Sequence, residues 1–253
     1  MMYGLKAIFK KELISYFITP IAYVFIAIFL MTSSAFTFYL SNFYGRGQAD
    51  LQAFFDWHPW LYIFLMPAIS MRLWAEEKKS GTLEILSTLP VPLWQMVTGK
   101  FLAAWVFTAI TLICTFPIWM TVCYLGDPDN SIIFISYLGS LLMAGGYLAI
   151  GSCISATTRN QVIAFVVSTL ACFLFTISGF PMVLNFFQGW LPGPVLNAIG
   201  GFSFLTNFGD ITKGILELKS LWFFSTFIVF WLFINSYILT FKIGKMMVNF
   251  LEK

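Results

Sequence analysis

Lys219-Ser220-Leu221-Trp222-Phe223-Phe224-Ser225-Thr226-Phe227-Ile228-Val229-Phe230-Trp231-Leu232-Phe233-Ile234-Asn235-Ser236-Tyr237-Ile238-Leu239-Thr240-Phe241-Lys242 is an uncharged, apolar run held between two lysines. At the helical rise the uncharged part is roughly 33 Å long, enough to cross the hydrocarbon of a bilayer. Backbone amides and carbonyls have no water to bond there, so a run of this length must satisfy them within itself, as a helix.

The whole chain has the same character. Of its 253 residues, 59% are hydrophobic and 10% charged, and the mean hydropathy is +0.85. A soluble domain carries about 25% charged residues. The chain is therefore an all-α integral membrane protein, read as one transmembrane domain over 1–253. A net charge of +3 gives no reason to expect nucleic acid as a partner. Cys114, Cys123, Cys153 and Cys172 lie in apolar runs without a Cys-x-x-Cys pair and read as small buried hydrophobes. Lys6, Lys10 and Lys11 precede an apolar run too long for a cleaved signal core, so that run is expected to be retained.

Five more candidate spans precede the one quoted. They run about Pro20–Phe43, Trp57–Met71, Phe101–Leu125, Ile132–Ser155 and Val162–Val183. Orientation follows from the cations. With both termini cytoplasmic, Lys6, Lys10, Lys11, Arg72, Lys78, Lys79, Lys100, Arg159, Lys242, Lys245 and Lys253 fall inside, and only Arg46, Lys213 and Lys219 fall outside. Residues 1–19 place Leu5, Ile8, Phe9, Leu13 and Phe17 near one helical face, with Lys6, Lys10, Lys11 and Glu12 elsewhere. They read as an interfacial helix before Pro20 turns the chain into the membrane. Segment 184–218 mixes Phe, Trp and Leu with Pro192, Gly193, Pro194, Gly200, Gly201 and Gly209. It reads as short outer re-entrant or interfacial helices covered by protein.

Within these bounds the spans hold no Asp, Glu, Lys or Arg. Ion-coupled transporters need ionisable groups in the membrane, and ion channels need charged rings or polar filters. Any energy for transport must then come from outside the spans. The single histidine, His58, sits between Trp57 and Trp60 and reads as part of an outer interfacial belt. No nucleophile elbow, zinc-protease helix or Walker loop occurs, so the chain is expected to be non-catalytic and to bind no cofactor or metal itself. Ser140, Ala144, Gly145, Ala149, Gly151 and Ser152 give the fourth span a small-residue face. Packing within one bundle is the plain reading, and a dimer seam the sharper one.

The densest charge lies in loop 72–100, in Ala75-Glu76-Glu77-Lys78-Lys79-Ser80-Gly81-Thr82-Leu83-Glu84-Ile85-Leu86-Ser87-Thr88-Leu89-Pro90-Val91-Pro92. Gly81 is placed to cap a short helix, with Glu84 three residues on reaching back to its amide. Leu83, Leu86 and Leu89 form an apolar edge, and Pro90 ends the helix. Trp94 and Lys100 would anchor the next helix at the inner interface.

This loop, with Gly99-Lys100 before the third span, resembles that of type-2 ABC transporter permeases, and the likeness extends over the whole chain. More narrowly, Phe202-Ser203-Phe204-Leu205-Thr206-Asn207-Phe208 and Lys213-Gly214-Ile215-Leu216-Glu217-Leu218-Lys219 are similar to the outer segment of the gliding-motility and nitrous-oxide-reductase-maturation permeases. That group commonly has His where Asn207 stands and Asp where Ser220 stands. The resemblance implies a six-span permease of the bacterial inner membrane that pairs with a second permease chain, as homodimer or with a sister. It implies two copies of a separate ABC ATPase subunit, which would bind ATP and Mg and drive export. Glu76, Glu77, Gly81, Thr82, Leu83 and Glu84 would couple to that ATPase, and Lys6, Lys10 and Lys11 would hold the first helix to membrane lipid. Two readings stand beside this one. The chain would be an ATP-driven anchor of an envelope or gliding machine without cargo, or an ATP-independent intramembrane protein, either a transporter or an enzyme using His58 and Asp56.

Overall fold

A computed structural model describes residues 3–83, 90–188, 190–214 and 218–251, with the side chains of 3 and 245–251 excepted. The described residues form helices, turns and bends, with no strand among them. Helix α1 spans Tyr3–Ile18 and α2 spans Pro20–Ala35, separated where Pro20 fits the first turn of a new helix but could not continue the old one. A π turn at Phe36–Leu40 and a short α3, Phe43–Arg46, prolong α2. Then come α4 (Gln52–Asp56), α5 (His58–Ser70) and the charged α6 (Arg72–Ser80).

Helix α7 (Leu93–Ile113) is separated from α8 (Phe116–Leu125) at Cys114–Thr115. Pro117 lies in the first turn of α8; its ring has no place against the carbonyl four residues back, which explains the break. Helix α9 (Asn130–Ser155) starts where the Asp129 carboxylate accepts the Ser131 and Ile132 amides. The Asn160 side chain likewise accepts the Val162 amide to open α10 (Gln161–Ile177). Three short helices follow: α11 (Pro181–Phe187), α12 (Gly193–Gly201) and α13 (Phe204–Thr212). The last helix, α14, is Leu218–Leu251.

Four stretches are long and apolar enough to cross a membrane: Pro20–Arg46, Leu93–Leu125, Asn130–Ser155 and Leu218–Gly244. Helices α10 and α11, bent by 78°, make a fifth if they count as one span. The expected second span is the exception. Helix α5 has thirteen residues, about 20 Å of rise, against the roughly 30 Å of a hydrocarbon core. It continues through a bend at Met71 into α6, so a multi-pass membrane protein is present with one element too short to cross alone. The spans as observed reach further than expected at their ends, taking in Arg46, Lys100, Lys219 and Lys242.

Helix α9 lies at the centre, packed against α5, α7, α10, α13 and α14. Its small residues permit this. A β-carbon at Gly151 would collide with Ser70 of α5, and one at Gly145 would come within 2.8 Å of Ile228 and 3.0 Å of Trp105. Ser140, Ala144, Ala149 and Ser152 are likewise buried inside this single bundle. Helix α14 buries Phe224, Phe227, Ile228, Asn235 and Leu239 and turns Trp222, Phe230, Phe233 and Tyr237 outward. The hydrophobic pattern could not show this division, because both faces are apolar.

Three expectations are corrected here. Cys114 and Cys123 are exposed on the bundle surface, while Cys153 and Cys172 are buried. The outer segment does form short helices, but α11 and α12 bury no residue against this chain; only α13 docks, through Phe204, Asn207, Phe208 and Ile211. His58 is fully buried rather than interfacial. Its Nδ1 lies 2.8 Å from Ser140 Oγ, which also bonds the Tyr62 hydroxyl at 2.7 Å, and Phe29, Phe54 and Phe55 pack around the ring. Helix α4 turns Trp57 away, to Ser41, and feeds His58 inward as the first residue of α5.

Candidate functional site: a charged unit joined to the central helix

The charged cluster of the loop begins as a helix before Gly81, not after it. Arg72, Glu76, Glu77, Lys78 and Lys79 all belong to α6. Gly81 ends that helix in the left-handed conformation, at φ +76°, which a β-carbon would disfavour. Gly81 thus ends α6, and its expected role as N-cap of the helix that follows, with Glu84 reaching back, involves residues outside the described ones. Thr82 and Leu83 are helical again, and 84–89, with Glu84, Leu86 and Leu89, lie outside the described residues.

Lys100 organises the unit. Expected to anchor its helix at the inner interface, it is only 3% exposed. From α7 its ammonium bonds Glu12 of α1 at 2.8 Å and Glu77 of α6 at 2.7 Å. It also lies 5.4 Å from the centre of the Trp74 ring. Glu12 was expected away from the apolar face and instead turns inward with Leu5, Ile8, Phe9, Leu13 and Tyr16, while Lys6, Lys10 and Lys11 point out. Gly99 lets α1 approach α7, since a β-carbon there would sit 3.1 Å from Ile8. Tyr16 stacks on Phe107 of α7 at 5.0 Å, and this burial, with the Glu12 carboxylate next in effect, pushes its phenol well above the usual range.

A second set of bonds ties α6 to the bundle. The first amides of a helix lack partners within it, and no side chain of α6 caps its own start. Ser155 of α9 does so from another helix. Its Oγ accepts the Trp74 amide at 3.1 Å and the Ala75 amide at 3.0 Å, and donates to the Met71 carbonyl at 2.7 Å. One turn earlier, Ser152 Oγ accepts the Trp74 indole N–H at 3.2 Å and the Asn235 amide N–H of α14 at 2.8 Å. A continuous path thus runs from Glu12 through Lys100, Trp74 and Ser152 to Asn235.

At the end of α9 the free carbonyls receive cations, as a helix C-terminus favours. Lys78 Nζ donates to the Ala156 carbonyl, and Lys242 Nζ donates to those of Ala156 and Thr157. Burial, then the charge of Lys242 beside it, brings the Lys78 ammonium down to about 7.

The residues expected to meet a partner divide accordingly. Glu77 is taken up inside the unit, and Leu83 is buried in the core at 2% exposure. Thr82 is exposed and bonds back to Glu77 and Ser80. Glu76, paired among the described residues with Arg72 at 3.3 Å, and Lys79 are exposed, as is Trp94 at the start of α7. Sequence reading placed Ser152 on a small-residue face but missed the bonds that it, Ser155 and Trp74 make, and the inward role of Lys100. The available signal was Ser152 and Ser155 three residues apart on a small-residue face, and a Trp inside a charged helix.

Residues 6–197 match the family described as ABC-2 family transporter protein. This chain belongs to the ABC-2 permease family. Its members are transporter membrane subunits, which agrees with the bundle of membrane-spanning helices. The chain is also similar to heme exporter protein B of Rhodobacter capsulatus, 33% identical over 80 residues. That match covers 31% of this chain and 37% of the relative, so this ABC-2 permease spans little more than a third of that relative in the match.

Proposed function

We propose that the chain is the permease subunit of an ATP-driven exporter in a bacterial inner membrane, with both termini and α6 at the cytoplasmic face. Two ABC ATPase subunits, binding ATP and Mg themselves, would dock on the unit formed by α1, α6 and the start of α7. A second permease chain would complete the transporter, and cargo would pass between the two bundles. The observation that carries this reading is the joint at Trp74. A helix bearing exposed Glu76 and Lys79 is fixed through Trp74 to α9 and α14, so a push on that helix moves the spans. Packed elements of this kind transmit displacement because they deform little. The likeness to a heme exporter protein of Rhodobacter supports export as the direction.

Affinity purification of the chain from its native membrane in mild detergent, followed by mass spectrometry, tests the reading. The expected result is a co-purifying ABC ATPase subunit, retained by wild type and lost on Glu76→Lys or Glu84→Lys. Recovery of the chain alone under several gentle conditions would overturn it.

A further inference from the structure

Two cavities meet at one side of the charged unit. The first is a polar cleft of about 270 Å³ between α1 and α6, whose lining includes Lys11, Glu12, Ser15, Tyr16, Arg72 and Glu76. The second, about 340 Å³, is a groove running up the bundle between α2 and α5, walled by Ile21, Val24, Phe25, Ile28, Leu65 and Ile69. Tyr16, Arg72 and Glu76 line both, so charged end and apolar groove form one continuous recess.

The charges at the junction are incompletely matched. The Lys11 ammonium has no acceptor among the described residues. Arg72 uses only its Nε, on Glu76, leaving the outer guanidinium nitrogens without acceptors among the described residues. The Tyr16 hydroxyl also has no partner there. The other oxygen of Glu76, Oε1, has no partner among the described residues. Donors suited to a phosphate therefore lie beside a carboxylate suited to an ammonium, at the foot of an apolar groove. The charged lining, Lys11, Arg72 and Lys100 against Glu12, Glu76 and Glu77, is formally neutral. A purely anionic headgroup would meet the Glu76 carboxylate without compensation.

We propose that this recess holds one zwitterionic glycerophospholipid of the surrounding bilayer, its phosphate at Lys11, Arg72 and Tyr16, its ammonium at Glu76, and an acyl chain in the groove between α2 and α5. The lipid is a resident of the fold rather than cargo, and it wedges α1 against α6. The site stands on its own lining and does not depend on the transporter assignment.

The test uses the full chain, purified with its native partners, delipidated, and returned to nanodiscs holding equal amounts of phosphatidylethanolamine and phosphatidylglycerol with the same acyl chains. Native mass spectrometry after release counts the lipid retained. One phosphatidylethanolamine per chain is expected. Lys11→Gln with Arg72→Gln should lower its retention about tenfold or more, the effect of losing a hydrogen bond to a charged group. Ile28→Trp, placed on the half-exposed wall of the groove, should lower retention while leaving the melting temperature of the delipidated protein unchanged, which keeps the test open if the double variant does not fold. Equal retention of phosphatidylglycerol, or retention unaffected by Ile28→Trp, would overturn the proposal and mark the lipid as bulk annulus.

Discussion

Ser155 and Lys100 carry more of this structure than their types suggest. The Ser155 hydroxyl accepts two amides of a neighbouring helix, and its removal leaves the Trp74 amide, which precedes the first intrahelical bond, buried without a partner. Ser155→Ala should therefore destabilise the protein by about 1–3 kcal/mol, measured by thermal or denaturant unfolding in detergent. Lys100→Met would strand the Glu12 and Glu77 carboxylates, at a cost of about 3–5 kcal/mol. The triple change Lys100→Met, Glu12→Gln, Glu77→Gln should recover most of that loss, because no uncompensated charge then remains. If the triple variant is no more stable than Lys100→Met, the ion triad is not what makes the single change costly. Lys78 gives a pH signature. Its ammonium titrates at about 7 in the fold and near the ordinary 10.5 when unfolded. Between those values the unfolded chain binds the extra proton, so stability should rise with pH from about 7 to about 10. Lys78→Met should flatten that rise, read from unfolding midpoints across the pH range.

Among the elements, α9 and α5 approach closely at one point. Gly151 faces Ser70 with no room for a β-carbon. Gly151→Ala should cost about 1–3 kcal/mol through overpacking, and Gly151→Ala with Ser70→Gly should recover much of it. Additive losses in the double variant would show that the two residues do not share this space. Here the limits of sequence reading become plain. Helix α9 was legible from its length and its small residues, and α14 from its bracketing lysines. Helix α5 was legible as apolar and as short for a span, but not as buried at its start, since Trp57 and His58 suit an interface as well as a packed turn. In the charged unit, the pattern of α1 gave its apolar face, but not the inward turn of Glu12, because a helical wheel assigns charges to solvent. Nothing local to residues 72–81 could reveal that the helix starts early, because its cap is supplied by Ser155, some eighty residues away.

At the scale of the molecule, the transporter reading makes Ser155 a joint rather than a prop. With the ATPase docked as proposed, Ser155→Ala should retain the bound ATPase subunit but lose transport-stimulated ATP turnover in proteoliposomes. Turnover matching wild type would show that α6 passes its motion to the spans by another route. The shortness of α5 has a different consequence, for how the protein is made. His58–Ser70 is about 20 Å long and hides His58, Tyr62 and Met66 against partners that the ribosome has not yet delivered. Ser140, which bonds both His58 and Tyr62, follows by about eighty residues, and α10 ends only at Ile177. Until those helices arrive, a thirteen-residue segment flanked by α6 charges is poorly matched to a bilayer. It must wait at the membrane surface or in the insertion machinery. The topology of the first third of the chain is thus settled late, by residues synthesised well after it.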